Sequence, residues 1–214
     1  MKHKLLVLAA LAAFGGAAQA QDVYGGVGLP GLVTLGYAQS MGPSWGLRGE
    51  YAGGLNVSKD GVQDGVNVTG SFKANRAGVF ADWYPFGGGF RLVGGLTMNN
   101  IEADLNAVGA GNATINNKVV SMVGENMRVN IKFPSTTPYI GIGYGHQSSK
   151  DKGLGFYADL GFMLGKFDTT TTTSLVSNGK ITQTDMDAQI QTMRSSLNSL
   201  SVLPSASIGL TYRY

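Results

Sequence analysis

Along most of the chain, apolar side chains recur at every second position and polar ones fill the gaps. Trp45, Leu47, Gly49 and Tyr51 alternate with Arg48 and Glu50. Phe90, Leu92, Gly94, Leu96 and Met98 oppose Arg91 and Thr97, and Met127, Val129, Ile131 and Phe133 oppose Arg128, Asn130 and Lys132. Leu154, Phe156, Ala158, Leu160, Phe162 and Leu164 oppose Tyr157 and Asp159. The last segment sets Ala206, Ile208, Leu210, Tyr212 and Tyr214 against Ser207, Thr211 and Arg213. A period of two belongs to a strand whose faces meet unlike surroundings. Most of these segments approach the ~9–11 residues with which a tilted strand crosses a bilayer. Candidate strands run over 23–37, 45–57, 66–84, 88–105, 118–133, 138–146, 153–165, 169–176 and 205–214.

One segment keeps a different period. Met186, Ile190, Met193, Leu197 and Leu200 recur at helical spacing, with Gln183, Asp187, Gln191, Ser195 and Asn198 on the other face. Thr182 followed by Asp185 supplies an N-cap and a carboxylate at the positive helix end, and Pro204 blocks continuation. The spacing predicts a helix over about 183–200 in the last long loop. A helix of this length is marginal alone in water, so its apolar stripe needs a surface. Capping the mouth of the sheet is the expected use.

Alternation fits a soluble sheet with one wet face as well as a membrane barrel. Two features favour the membrane, namely aromatics near the strand ends and an ending on Tyr214 with apolar or aromatic residues at every second position back to Ala206. The glycines indicate a curved sheet and the leader an export route, and both are compatible with it. Aromatics cluster near strand ends on the apolar faces, at Trp45, Tyr51, Phe90, Phe133, Tyr144, Tyr212 and Tyr214, where interfacial girdles sit. Many of the 33 glycines of 214 residues lie inside alternating segments such as Ile140 to Gly145, where a crowded interior uses them for room or bending. The first 20 residues read as a signal peptide, with Lys2 and Lys4 before the apolar run Leu5 to Ala18 and the small-x-small site Ala18-Gln19-Ala20. Cleavage after Ala20 leaves residues 21–214 as one β domain. No other stretch is long and apolar enough for a spanning helix, so a membrane-embedded mature chain must be a closed barrel.

Loss of Lys2 and Lys4 leaves 14 basic against 13 acidic residues, so the net charge of +3 is in part a property of the leader. No basic cluster remains to follow a phosphate backbone, and nucleic acid is not an expected partner. With no cysteine, neither disulfides nor thiol chemistry is available.

Placing the C-terminus in the periplasm makes the short links at 39–44, 85–87, 134–137 and 165–168 periplasmic. The links at 58–65, 106–117, 147–152 and 177–204 then fall outside the cell. That leaves eight strands beginning at Trp45, with 23–37 as an additional segment. If 23–37 is a hairpin broken near Pro30-Gly31, the count rises to ten; if instead the threonine run at 169–173 is loop, it falls to eight, and eight is the expectation. Strand parity slips near Ala77-Gly78 and Asn99-Asn100, read as β-bulges.

The glycine-rich phrase Thr137-Pro-Tyr-Ile-Gly-Ile-Gly-Tyr-Gly145 and the ending Gly209-Leu-Thr-Tyr-Arg-Tyr214 resemble the small outer-membrane barrels of the OmpW and OmpA transmembrane-domain (opacity-like) group. The resemblance covers the whole mature chain and implies a Gram-negative outer-membrane barrel with lipid and lipopolysaccharide around it. It also implies that the barrel-assembly machinery reads Ile208, Leu210, Tyr212 and Tyr214. The group more often ends on phenylalanine than on tyrosine. No peptidoglycan-binding domain is expected after Tyr214.

The polar faces make Arg48, Glu50, Lys73, Arg91, Arg128, Lys132, Asp159 and Arg213 interior residues, with Asp82 and Asp104 less securely placed by the parity slips. Eight strands enclose little more than side chains, and charges there need partners. An ion-pair network with Glu50 and Asp159 as hubs, structural in role, is the first expectation. The alternative is a passage lined by the basic excess, which as a narrow channel would serve small or apolar solutes. Loops rich in Gly, Asn, Ser and Thr also suit surface recognition. His146-Gln147-Ser148 resembles the His-x-Ser pair of lipid A deacylases. Positions 146 and 148 continue the outward face, however, whereas the nearest carboxylate, Asp159, faces inward. His146 is therefore expected at the membrane rim, and no enzymatic activity is expected. His3 leaves with the leader and the Asp residues lack calcium-loop spacing, so neither metal nor cofactor is expected. Nothing in the sequence sets the oligomeric state.

The mature chain is expected to fractionate with the outer membrane and to migrate differently on a gel before and after heating. Deleting Tyr214 should reduce the heat-modifiable form relative to wild type, and equal amounts in the two would refute its part in assembly.

Overall fold

The computed structural model describes residues 21–63, 65–109, 111–146, 152–198 and 201–214; the expected signal peptide lies outside them. The strands are β1 (Gln21–Leu29), β2 (Val33–Ser40), β3 (Trp45–Gln63), β4 (Val66–Trp83), β5 (Phe90–Gly109), β6 (Asn112–Ile115), β7 (Lys118–Ser121), β8 (Asn126–Lys132), β9 (Thr136–Tyr144), β10 (Gly153–Leu164), β11 (Asp168–Thr173) and β12 (Val202–Arg213). Two helices, α1 (Ser174–Ser177) and α2 (Gln183–Asn198), lie between β11 and β12.

All ladders between these strands are antiparallel. From β1 to β5 each strand pairs with the next. β5 then takes two partners along its length, with Phe90–Met98 on β9 and Glu102–Val108 on β8. β10 pairs with β9, β11 with β8, and β12 with both β10 and β1. The ten strands of this sheet thus occupy eight lateral positions. The result is an all-β antiparallel sheet resembling an outer-membrane barrel fold.

The eight positions are not the eight expected from Trp45 onwards. Residues 21–40 form the β1–β2 hairpin, with Leu35 opposite Tyr51 and Tyr37 opposite Gly49, while Asp168–Thr173 also joins the sheet. Pro134 interrupts the run through β8 and β9 without reversing it, because proline offers no N–H to a ladder. The break between β10 and β11 likewise leaves the direction unchanged. The expected turns at 134–137 and 165–168 are therefore mid-strand breaks. The connection from β9 to β10 consequently lies at the end that carries the chain termini, and not with the long loops.

The expected bulges near Ala77-Gly78 and Asn99-Asn100 are absent: β4 and β5 stay in register from Val66 opposite Gly109 to Trp83 opposite Leu92. What changes along these strands is the surroundings. Near the termini the outer face is apolar and exposed, with Trp45, Leu92, Leu96, Ile140, Leu160, Ile208 and Leu210 forming a belt. Trp45 and Trp83 stack there, as do Tyr144 and Phe156. Towards the far end the same outer face carries Lys73, Glu102, Arg128 and Lys132, while Ala74, Ile101 and Val129 are buried on the inner face. The polarity of the two faces inverts where β3, β4 and β5, of 19, 18 and 20 residues, outrun the belt. The register shift lies instead in β3 between Ala52 and Leu55, at Gly53-Gly54, where Gly54 has φ +90°.

The far-end extension has its own core of Val66, Ile115, Met122, Leu175, Ile181 and Met186. β6 and β7 turn at Asn116-Asn117, both with positive φ as a tight hairpin turn requires. Helix α2 occupies nearly the span its periodicity predicts. Thr182 and Asp185 cap it reciprocally: the Asp185 N–H donates to Thr182 Oγ1 at 3.1 Å and the Thr182 N–H to the Asp185 carboxylate at 3.3 Å. Met186 is buried and Ile190 packs against the core, which anchors the helix on the far-end unit. Hydrogen bonds from Lys118, Thr182 and Asn116 hold the Asp185 carboxyl far below its ordinary range.

Room inside the sheet comes from glycine. At Gly36 a Cβ would fall 2.2 Å from the Tyr24 ring, so the tyrosine lies across the interior only because that position is bare. Gly36→Val should destabilise by about 1–3 kcal/mol through overpacking, read by urea unfolding in lipid vesicles. Tyr24→Ala in the same chain should recover part of the loss, and no recovery would exclude the steric cause.

Asp185 is depressed in the folded state, so its contribution is full above the ordinary aspartate pKa and lost as pH falls below it towards the lowered value. Asp185→Asn should speed tryptic cleavage at Lys180 and Arg194 at neutral pH. A wild-type cleavage rate in the variant would show the cap to be idle.

Candidate functional site

Residues from three neighbouring strands and the opposite wall meet inside the sheet, near its terminal end. β3 supplies Arg48 and Glu50, β4 supplies Arg76 and Asp82, β5 supplies Arg91, and β10 supplies Asp159 from across the interior. Arg48 is the centre. Its Nε donates to Asp82 at 2.9 Å, and its Nη1 donates to Asp159 at 3.1 Å and to Glu50 at 3.2 Å. Arg91 donates to Asp159 at 2.6 Å and lies 3.5 Å from Asp82. Arg76 pairs with Glu50 and donates to Ser205 Oγ on β12 at 3.0 Å. The Tyr24 hydroxyl donates to Glu50 at 3.0 Å.

Three guanidinium groups thus face three carboxylates, and the cluster is neutral as a unit. Burial of charge is tolerated when pairing and hydrogen bonds satisfy each group. Arginine's planar fork lets one cation serve several carboxylates. Apolar rings complete the enclosure: the Arg48 guanidinium lies 4.9 Å from the Phe80 ring centroid, and that of Arg76 5.7 Å from Phe80 and from Tyr139. Gly143 gives way to the Arg91–Asp159 pair, since a Cβ there would sit 2.3 Å from Asp159 Oδ1.

A second layer closes the terminal end. Arg213 donates to Asp22 at 2.7 and 2.9 Å, and His146 Nδ1 lies 3.4 Å from the same carboxylate. The His146 ring is buried against Tyr24 and Tyr157, while Tyr84 donates to its carbonyl oxygen at 2.6 Å. His146 was expected on the outer face. Gly145 and His146, with φ of +94° and +55°, break the alternation and turn the imidazole inward. Its carboxylate neighbour is Asp22, and Ser148 lies outside the described residues. Among the described residues no group of three or more His, Asp or Glu side chains is placed to hold a metal ion.

The structure brings together Arg48, Glu50, Arg91 and Asp159 of the expected interior set, together with Asp82, and places Arg213 in the layer with Asp22. Arg128 and Lys132 are elsewhere. They lie exposed on the outer face, with Arg128 2.8 Å from Asp104 and Lys132 3.6 Å from Glu102. Lys73 is 2.6 Å from Glu102 on that same face. The inversion of face polarity at the far end explains all three corrections. Sequence reasoning missed Arg76. Unbroken parity along β4 puts Arg76 on the face of Phe80 and Asp82, and a reading without a bulge at Ala77-Gly78 finds it. Ile208, Leu210, Tyr212 and Tyr214 all project from the outer face, each about half exposed.

The antiparallel sheet, its exposed apolar belt and its buried ion-pair network together have the architecture of an outer-membrane β fold. No family model matches the chain, and no curated protein matches it in sequence. Among solved structures it is similar to CarO2 of Acinetobacter baumannii, with a TM-score of 0.59 and 18% identity over 92% of this chain and 98% of that one. Acinetobacter baumannii CarO gives a TM-score of 0.55 and 17% identity over 91% and 97%. At such identities the likeness is one of fold.

Asp82→Ala leaves Arg48 and Arg91 short of a partner and should cost about 3–5 kcal/mol. Arg128→Gln removes an exposed pair and should cost less than ~1 kcal/mol. Urea unfolding in vesicles reads both, and similar losses would contradict the placement of the two residues.

Proposed function

We propose that the chain is an eight-stranded transmembrane barrel of the outer membrane, sealed across its lumen, with a structural and surface-displaying role. Support for closure comes from the pairing order, which returns from β12 to β1 and leaves no unpaired edge within the belt. The observation that carries the sealed reading is the burial of Arg91 and Asp82, 0% and 1% exposed, in a cluster that joins facing walls. The basic excess needed to line a passage is absent from this layer, since Arg128 and Lys132 lie outside it.

In this reading residues 1–20 are removed on export and both mature termini lie in the periplasm. The far-end unit with α2 stands outside the cell. Hydrocarbon and lipopolysaccharide surround the belt, and the assembly machinery recognises Ile208, Leu210, Tyr212 and Tyr214. Kinship with the OmpW and OmpA transmembrane-domain group rests on the alternating aromatic ending and the glycine-rich hairpins.

Purified protein in planar bilayers should show no discrete channel openings. The double substitution Arg91→Ala with Asp159→Ala removes one charge of each sign and should create a water path, seen as openings or as swelling of sugar-loaded vesicles. Stable openings from the wild-type protein would overturn the sealed reading.

A further inference from the structure

Two apolar cores lie along the inner face of the long strands, and the sheet between them is bare. The core nearer the belt ends at Ala74, Ile101 and Leu55. The far-end core begins at Val66, Val68 and Ala107. Between them Val57 pairs with Phe72, Phe72 with Ala103, and Gly70 with both Lys59 and Leu105. These residues share the inner face, because after the Gly53-Gly54 shift Leu55 stands opposite buried Ala74. Yet Val57, Phe72 and Leu105 are 52%, 39% and 44% exposed. Gly70 deepens the hollow by contributing no side chain. The hollow is open on one side, since β1 stops at Leu29, β2 starts at Val33 opposite Gly53, and β12 starts at Val202 opposite Leu164. Helix α2 packs mainly against β6 and β11, and its Met186 meets β4 only in the far-end core.

The charge arrangement is as uneven as the burial. Lys59 is the charged residue on the inner face of this bare stretch and has no ion-pair partner among the described residues. The acidic residues of the same strands, Asp60, Glu102 and Asp104, take the opposite parity and face outward. An exposed apolar surface beside a lone ammonium is the complement of an amphipathic anion.

We propose that this hollow binds an amphipathic organic anion, its alkyl or aryl body on Val57, Phe72 and Leu105 and its anionic head on Lys59. The proposal rests on the reading that the far end stands in the external medium, and it requires no passage through the lumen.

The test uses the protein in lipid nanodiscs, titrated with octanoate at neutral pH and followed by saturation-transfer NMR against empty nanodiscs. Saturable octanoate binding above the empty-nanodisc level is expected, with no binding of acetate. Lys59→Gln should weaken octanoate roughly tenfold through loss of the charged contact and leave octanol unchanged. Leu105→Gln should weaken both ligands. Heat-modifiable migration identifies folded variants, and exposed Lys59 provides a substitution outside either core. No saturable excess in the wild type, or equal octanoate affinity in Lys59→Gln, would overturn the site. Octanoate delivered to the lumen of protein-loaded vesicles would instead overturn the sealed lumen and leave the binding site standing.

Discussion

The pairing of three arginines with three carboxylates inside the sheet is the interaction on which the remaining architecture turns. Arg48 reaches Asp82 on the neighbouring strand and Asp159 on the opposite wall, so β3, β4, β5 and β10 must keep their registers for any of these charges to be satisfied. A slip of one residue would put the arginines into the apolar belt and the apolar side chains among the carboxylates. The cost of an unpaired buried charge is therefore a register constraint as much as a stabilising contact. Gly143 and Gly36 follow from it, since each leaves its space to a side chain that crosses the interior.

Outside the belt the same strands solve a different problem. Their outer face meets water and carries Lys73, Glu102, Asp104, Arg128 and Lys132 in cross-strand pairs. Their inner face no longer encloses a narrow polar interior and gathers an apolar core beneath α2 and the β6–β7 hairpin. One continuous ladder is thus inside-out in one half and conventionally amphipathic in the other. The inversion marks where the surrounding medium changes. It also separates the neutral ion-pair cluster from the far-end unit, where the open apolar surface and the solitary Lys59 lie.

The sequence by itself determined the local elements. Strand alternation is legible because a side chain's face depends only on its parity, and α2 because Met186 and Ile190 return at helical spacing and Thr182 with Asp185 closes the first turn. Arg48, Glu50, Arg91 and Asp159 were legible as inward residues because they lie in the belt, where polar means inner. Tertiary structure decided what parity cannot carry. Whether Pro134 turns a strand or only interrupts it depends on which half of β5 each segment pairs with. Which medium each face meets depends on how far β3, β4 and β5 outrun the belt, so Arg128 and Lys132 read as interior and lie outside. His146 faces Asp22, 124 positions away, through a left-handed break that alternation does not encode. The physical reason is the same in each case: periodicity records a contrast between two faces, and only the assembled sheet says which face is which.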